Sequence, residues 1–116
     1  MKYFKYMTVF AALFANPAIA DAQRTTSDGT YIGKIYSIAY GFYGEIGVHL
    51  GSQSCNGSNV VFLKKDNPQY DNIRAMILTA ISSGQIVKFA RLGSYGLYSN
   101  GCVIGEAAIG EWPAWN

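Results

Sequence analysis

The sequence predicts a mainly β domain with one α-helix. Two stretches favour strands: Tyr31–Tyr40 is rich in aromatic and β-branched residues, and Glu45–Leu50 alternates apolar side chains with polar or small ones. A third stretch, Pro68–Ser83, repeats its apolar residues at helical spacing, and Gly84 follows where a helix end favours a left-handed residue. One helix among several strands is therefore the class of fold that the pattern indicates.

Five strands and one helix account for most of the chain after residue 30. The helix is predicted over Pro68–Ser83, capped by Asn67, because proline suits the first helical turn. The strands are predicted over Tyr31–Tyr40, Glu45–Leu50, Val60–Leu63, Ile86–Leu92 and Cys102–Ile109. The glycine-rich stretches between them, 41–44, 51–59 and 93–101, are predicted as turns and loops. The order β-β-β-α-β-β is that of an OB-like five-stranded barrel, and an open α+β sheet covered by one helix is the alternative.

The predicted helix has two unlike faces. Its core stripe consists of Tyr70, Ile73, Ile77, Ala80 and Ile81. The other face carries Met76 and Leu78, which are more apolar than a solvated face requires. This face is either covered by another chain or forms the edge of the intramolecular contact.

The first twenty residues have the pattern of an export signal. Lys2 and Lys5 precede an uncharged apolar run over 6–15, and small residues at 18, 20 and 22 offer cleavage near 20 or 22. The run is shorter than the roughly 20 residues of a spanning helix, so an uncleaved membrane anchor is the weaker alternative. The sequence thus predicts a signal peptide over 1–20, a single domain over 21–116, and a secreted or periplasmic location without a membrane span.

The charge of the predicted mature chain is balanced. The full chain has nine Lys and Arg residues and seven Asp and Glu residues, and the signal peptide removes Lys2 and Lys5. Seven charges of each sign remain. Because nucleic-acid binding needs a basic excess on one face, the composition argues against a nucleic-acid partner.

The chain has two cysteines, Cys55 and Cys102. In an oxidising compartment they most simply form one disulfide, which closes a loop of about 48 residues and contributes roughly 4 kcal/mol by the chain-entropy relation. A catalytic or metal-binding cysteine is the alternative. Two cysteines and one histidine do not make a zinc set, so no metal site and no cofactor are predicted.

Few residues offer enzyme chemistry. His49 is the single histidine and lies in the middle of a predicted strand, opposite its apolar side chains. Glu106 and Glu111 lie on and beyond the last strand, where nothing fixes their separation. No glycine-rich phosphate loop occurs between a strand and a helix. The chain is therefore predicted not to be an enzyme, and a small hydrolase using His49 and Glu106 ranks last among its functions.

Aromatic residues are the notable excess. After the signal peptide the chain keeps seven tyrosines, three phenylalanines and two tryptophans. Many lie in predicted turns, strand ends and the C-terminus: Tyr40, Phe42, Tyr43, Tyr95, Tyr98, Trp112 and Trp115. Tyrosine and tryptophan combine an apolar ring with a polar tip, which suits a sugar platform, a subunit interface or the ends of a barrel core.

Two segments resemble a known family. Asp28–Ile35 (DGTYIGKI) and Ile73–Phe89 (IRAMILTAISSGQIVKF) are similar to B subunits of bacterial toxins of the subtilase cytotoxin and pertussis-like type, in which a helix ends in a small-residue turn and runs into the fourth strand. The resemblance implies an OB-type subunit, a homo-oligomeric ring of five, recognition of host-cell glycans that are often sialylated, and a separate catalytic A subunit.

The sialic-acid binders of that family carry a serine in the first strand, where this chain has Ile32. A glycan site here is therefore expected to use aromatic and amide groups of strand ends and loops: Tyr31, Tyr40, Tyr43, Asn56, Tyr95 and Tyr98. The sequence thus predicts an exported, non-enzymatic binding subunit that recognises carbohydrate. The alternative is a stand-alone exported or periplasmic protein-interaction domain, such as an inhibitor or envelope factor, that acts as a monomer.

Overall fold

The computed structural model describes residues 23–53 and 55–110. The predicted signal peptide and its cleavage site lie outside these residues, as do Glu111, Trp112 and Trp115, so the predictions made for them stay predictions.

The described residues are mainly β with one helix, which confirms the predicted class. The helix α1 spans Tyr70–Ser83. The nine strands are β1 Arg24–Thr25, β2 Tyr31–Gly33, β3 Ser37–Tyr40, β4 Ile46–His49, β5 Val60–Leu63, β6 Val87–Phe89, β7 Leu97–Tyr98, β8 Gly101–Cys102 and β9 Ala107–Ile109.

The nine strands form three antiparallel sheets. Their orders are β1-β2-β6-β9, β3-β4-β5 and the two-stranded β7-β8. A parallel bridge between Phe62 and Val103 connects β5 to the last part of the chain, where the Ile104 N–H donates to the Phe62 carbonyl at 2.8 Å. Strand β5 therefore contacts β4 on one side and the segment after β8 on the other.

The structure corrects the prediction of an OB-like barrel with five long strands. The described residues form shorter strands in separate sheets and no closed barrel. The predicted first strand, Tyr31–Tyr40, is divided into β2 and β3, which belong to different sheets. The division has a packing reason: β2 is buried throughout, whereas β3 is largely exposed, so the chain turns between the two. The Tyr31 hydroxyl donates to the Lys34 carbonyl at 2.6 Å and Ile35 is buried, which fixes this corner.

The C-terminal half departs from the prediction in a similar way. The stretch 93–101, predicted as a loop, contains the hairpin β7-β8, whose turn passes through Ser99 and Asn100 at φ 49° and 67°. Two successive residues with positive φ match the tight turn that a two-residue hairpin requires. The predicted strand Cys102–Ile109 is accordingly divided between β8 and β9.

The helix begins two residues later than predicted and ends where predicted. Asn67 is not its cap residue: its side-chain oxygen accepts from the Gln69 N–H at 2.8 Å, and its amide group donates to the Ile104 carbonyl at 3.1 Å. Gln69 occupies the cap position without a side-chain hydrogen bond. At the other end Gly84 has φ 70° and its N–H donates to the Ala80 carbonyl, as a left-handed helix terminus requires.

The core lies between α1 and the sheets. The helix contacts β5 and β9 and buries Tyr70, Ile73, Ile77 and Ala80, so the predicted stripe is confirmed apart from the half-buried Ile81. The sheets contribute Tyr31, Ile46, Val48, Val61, Leu63, Val87, Phe89 and Ile104. Met76 and Leu78 are half-buried.

The predicted disulfide between Cys55 and Cys102 is present, with a Cα–Cα distance of 5.8 Å. It joins the loop after β4 to β8. Within residues 23–53 and 55–110, no helix combines the length and hydropathy needed to cross a membrane. In the same ranges, no group of three or more His, Cys, Asp or Glu side chains is placed to hold a metal ion.

Candidate functional site

A concave pocket with a volume of about 500 Å³ lies on the β3-β4-β5 sheet. We call it the outer face; it is lined by Ser37, Ile38, Ala39, Tyr40, Gly41, Glu45, Gly47, His49, Val60 and Phe62. Along β4 the side chains alternate, so that Ile46 and Val48 are buried while Gly47 and His49 lie on the opposite side. This alternation separates the outer face from the core.

Small residues make the centre of the outer face concave. Ala39 of β3 and Phe62 of β5 lie opposite Gly47 on its two sides. A Cβ atom at Gly47 would lie 3.5 Å from the Phe62 ring and 3.6 Å from the Val60 side chain, at ordinary contact distance. A methyl group therefore fits at this position, whereas a larger side chain would fill the space above the sheet.

Aromatic rings stand at both ends of the outer face. At one end the Tyr98 ring meets the Phe62 ring edge to face, with centroids 5.1 Å apart, and the Lys64 Nζ atom lies 5.7 Å from the Tyr98 centroid. At the other end the Tyr36 and His49 rings meet at 6.3 Å. Aromatic groups thus flank a floor of small residues.

Glu45 supplies a carboxylate beside Tyr98. The Tyr43 N–H donates to Glu45 Oε2 at 3.1 Å. A Cβ atom at Gly41 would overlap the Glu45 carboxylate, so glycine at that position leaves the room that the carboxylate occupies. Burial, followed by the charge and the hydrogen bond of Glu45, raises the pKa of the Tyr98 hydroxyl. The neutral phenol is therefore favoured next to the carboxylate.

We expect the Tyr98 hydroxyl to titrate above the ordinary tyrosine pKa of about 10, and Glu45→Gln to bring its pKa down because the neighbouring negative charge is lost. The contribution of this group to stability is then complete below about pH 10 and disappears as the pH rises through the raised value. Alkaline NMR titration of the Tyr98 ring carbon measures this. A Tyr98 pKa that Glu45→Gln leaves unchanged would contradict the contact.

A second, smaller cavity of about 250 Å³ lies between α1 and β9. Its lining consists of Gln69, Asn72, Ile73, Met76, Gly105, Glu106 and Ala107. Beside it, Arg91 Nη2 lies 2.6 Å from Glu106 Oε2, and the Tyr95 hydroxyl donates to the same carboxylate oxygen. This carboxylate is therefore held by two partners at the protein surface.

The structure brings together two of the six predicted glycan-binding residues, Tyr43 and Tyr98, which lie at the Glu45 end of the outer face. Tyr40 borders the outer face, but it pairs with the buried Ile46 and its ring lies on the helix side of the sheet, with the Arg74 guanidinium 6.0 Å from its centroid. Tyr95 belongs to the second cavity through its contact with Glu106.

The remaining two predicted residues lie elsewhere. Tyr31 is 1 % exposed and stacks on Phe89 with ring centroids 6.3 Å apart, so its side chain belongs to the core. Burial raises the pKa of its hydroxyl. Asn56 is exposed in the disulfide loop, at φ 57°, and its amide donates to the Asn100 carbonyl at 3.4 Å.

The sequence reasoning missed several outer-face residues, namely Ser37, Glu45, Gly47 and Phe62. The period-two pattern of Glu45–Leu50 already placed Glu45 and Gly47 on the polar side, so this pattern was the signal. His49 and Glu106, paired in the hydrolase alternative, line different cavities. Comparison of the chain with protein-family models, with curated proteins and with solved structures found no match.

Proposed function

We propose that this chain is an exported, non-enzymatic subunit that binds carbohydrate on its outer face. The observation that carries the proposal is the concave floor of Ala39 and Gly47, which is open among residues 23–53 and 55–110 and is flanked by the Phe62 and Tyr98 rings and by polar groups. A sugar ring presents an apolar face that packs on an aromatic ring and hydroxyl groups that need hydrogen-bond partners. The outer face offers both kinds of contact.

The polar groups are placed for a ligand rich in hydroxyls. The Glu45 carboxylate accepts hydrogen bonds, the Ser37 hydroxyl donates and accepts, and the His49 ring does either according to its tautomer. Phe62 and Tyr98 supply the packing surface at the Glu45 end. In this proposal Tyr43 and Tyr98 stay glycan-binding candidates, whereas Tyr40, whose ring lies on the helix side of the sheet, and the buried Tyr31 are left out.

The strand pairings support the finer proposal that the sheets are a divided OB-type barrel. From β3 the pairings run to β4 and β5, cross the Phe62–Val103 bridge, and resume from β9 to β6 and β2. Strands β2 and β3 are the two halves of one predicted strand. This is the order in which the five strands of the predicted barrel would pair, and it agrees with a B-subunit role in which a separate A subunit carries the catalysis.

A glycan array tests the proposal. The exported form of the chain, displayed at high density, is expected to bind a subset of glycans, and Phe62→Ala is expected to lose that binding because the packing surface is removed. Tyr95→Phe is the matched control, since it alters an aromatic residue of the second cavity. Absence of binding to every glycan on the array, or equal binding by Phe62→Ala, would overturn the proposal.

One observation favours the alternative of a protein-interaction domain. Phe42 is 93 % exposed and its ring meets that of Tyr43 at 5.1 Å, so the turn after β3 presents an apolar cluster. Such clusters are enriched where proteins meet. Light scattering separates the two functions, because the stand-alone domain is expected to be a monomer and the binding subunit to associate with itself.

A further inference from the structure

Strand β3 is an open edge of the three-stranded sheet. It pairs with β4 on one side, and no strand of the described ranges pairs with its other side. Three of its four residues are exposed, and none is charged or proline. Sheet edges normally carry charges, prolines or bulges that prevent pairing with another chain. Strand β3 has no charge and no proline, and its irregular contact, the Tyr36 N–H that donates to the carbonyl of His49, lies before the strand begins. The edge of Ser37–Tyr40 itself has a regular register and is suited to accept a further strand.

The backbone groups of Ile38 and Tyr40 face this edge. The Gly41 N–H donates to the Glu45 carbonyl at 2.8 Å, so Gly41 is a residue that hydrogen-bonds to the β4 side of the sheet. In an antiparallel pair, residues that bond to the neighbouring strand alternate with residues whose N–H and C=O groups point away from it. Ile38 and Tyr40 alternate with Ala39 and Gly41 and therefore point to the open edge.

We propose that this edge pairs with the same edge of a second copy of the chain, antiparallel about a two-fold axis at Ala39. Ile38 of one copy then lies opposite Tyr40 of the other, and each such pair exchanges two backbone hydrogen bonds. The two-fold axis generates a second pair of this kind, so about four backbone hydrogen bonds join the two copies. A shift by two residues would place Tyr40 opposite Tyr36, whose N–H already donates to the His49 carbonyl at 3.0 Å.

The side chains fit the same register. Ile38 opposite Tyr40 is a β-branched residue against an aromatic one, which is a favourable cross-strand pair. On the other side of the strand Ser37, Ala39 and Gly41 are small, so the two copies meet there without a clash.

The pairing also covers exposed apolar surface. Tyr40 is 55 % exposed, and the residues that flank the strand, Tyr36 and Phe42, are 58 % and 93 % exposed. Because Tyr36 and Phe42 lie next to the two ends of β3, the antiparallel arrangement puts Phe42 of one copy at the same end of the pair as Tyr36 of the other. Contacts of this kind remove aromatic surface from water, which is the main favourable term in association.

The paired copies share one surface. A two-fold axis through an antiparallel pair keeps the outer faces of both copies on the same side, so the two three-stranded sheets become one sheet of six strands. Where the proposed carbohydrate binding holds, two sites then point in one direction and a multivalent glycan surface binds more tightly than a single sugar. The pairing itself does not depend on that function.

Light scattering and one pair of charge variants test the pairing. The exported form is expected to have twice the mass of one chain, and Ala39→Lys is expected to be a monomer because two like charges would face each other across the axis. Gln85→Lys, at an exposed position just after the end of α1, is the control and is expected to keep the dimer. A mixture of Ala39→Lys and Ala39→Glu is expected to regain the doubled mass. A monomer or a ring of five in the unaltered chain, or an Ala39→Lys dimer, would overturn the pairing.

Cysteine cross-linking tests the register without destabilising charges. Residues directly opposite each other without hydrogen bonds have Cα atoms about 4.5 Å apart, within the range of a disulfide. Ala39→Cys is therefore expected to give a covalent dimer on mild oxidation. Ser37→Cys is the matched control, since its copies would lie about four residues, roughly 13 Å, apart. Cross-linking of Ser37→Cys as fast as Ala39→Cys would contradict the proposed axis. An unaltered chain that has the doubled mass but binds no sugar would count against the proposed function alone and leave the pairing standing.

Discussion

Replacing Cys55 and Cys102 together with alanine is expected to lower the free energy of unfolding by about 4 kcal/mol. The bridge closes a loop between residues 47 positions apart, and the chain-entropy relation gives that magnitude for such a loop. The protein domain that remains is small, and domains of this size are stable by only 5–15 kcal/mol, so the loss is a large share of the total. We expect the variant to be partly unfolded at 37 °C.

Denaturant unfolding followed by circular dichroism measures this effect. The disulfide joins the loop after β4 to β8, and Cys102 is 1 % exposed. The expected loss of unfolding free energy therefore has two sources: the loop is no longer cross-linked, and alanine fills less of the buried space at position 102. A Gly57→Ala variant in the same loop is a control for general loop sensitivity, because open space surrounds that Cβ position although its φ is 76°. A loss below about 1 kcal/mol for the double alanine variant, or one no larger than that of Gly57→Ala, would contradict the account.

Gly47→Val is expected to reduce carbohydrate binding at least tenfold, a change of about 1.4 kcal/mol, while the chain stays folded. The added side chain rises from the centre of the outer face and fills the space between Ala39 and Phe62. Valine suits a strand, and its first added carbon meets Phe62 at 3.5 Å without overlap, so the sheet admits that carbon without a shift. Gly47→Ala adds only that carbon and is expected to bind more tightly than the valine variant.

Isothermal titration with a glycan that the unaltered protein binds measures both affinities. Thr25→Val on the exposed strand β1 is the matched control, because it adds an apolar side chain far along the chain from the outer face. Thermal unfolding confirms that the fold of each variant is intact. A folded Gly47→Val protein that binds the glycan as tightly as the unaltered chain would show that the outer face is not the site.

Local pattern was enough to predict the helix and several strands. The period of β4 and the glycine at 84 both depend on neighbouring residues only, and both predictions agree with the structure. The helix begins two residues after the predicted start, because the Asn67 oxygen accepts from the Gln69 N–H in a turn before α1, while its NH2 group donates to the carbonyl of Ile104, 37 residues away in sequence. A capping preference depends on neighbouring residues and cannot reveal that distant partner.

The division of the first predicted strand shows a second limit. Most residues of Tyr31–Tyr40 are aromatic or β-branched, and the weak strand formers Gly33 and Lys34, which stand at the corner, do not by themselves divide the stretch. The corner arises because β2 pairs with β6 and β3 pairs with β4, contacts that join residues far apart in sequence. The same contacts bury Tyr31 and leave Tyr40 exposed, so two tyrosines with the same local signal have different environments.

The sequence predicted what kind of surface the candidate site is, but not where in the fold it lies. The excess of tyrosine indicated an aromatic surface, and Tyr43 and Tyr98 do lie at the end of the outer face, whereas the Tyr40 ring lies on the other side of the sheet. The sequence does not distinguish Phe62 from a core residue, because it lies in a short, wholly apolar strand. Its half-buried position follows from the register of β5 against β4, which the sequence alone does not fix.

Amide NMR of the exported, isotope-labelled chain tests the central claim most directly. Spectra are recorded while lactose, N-acetyllactosamine and sialyllactose are added in turn. If the outer face binds sugar, at least one of these ligands will shift the resonances of Ala39, Gly47 and Phe62, and the shifts will saturate. Shifts confined to the surroundings of Arg91 and Glu106, or no saturable shift with any of the three, would contradict the account.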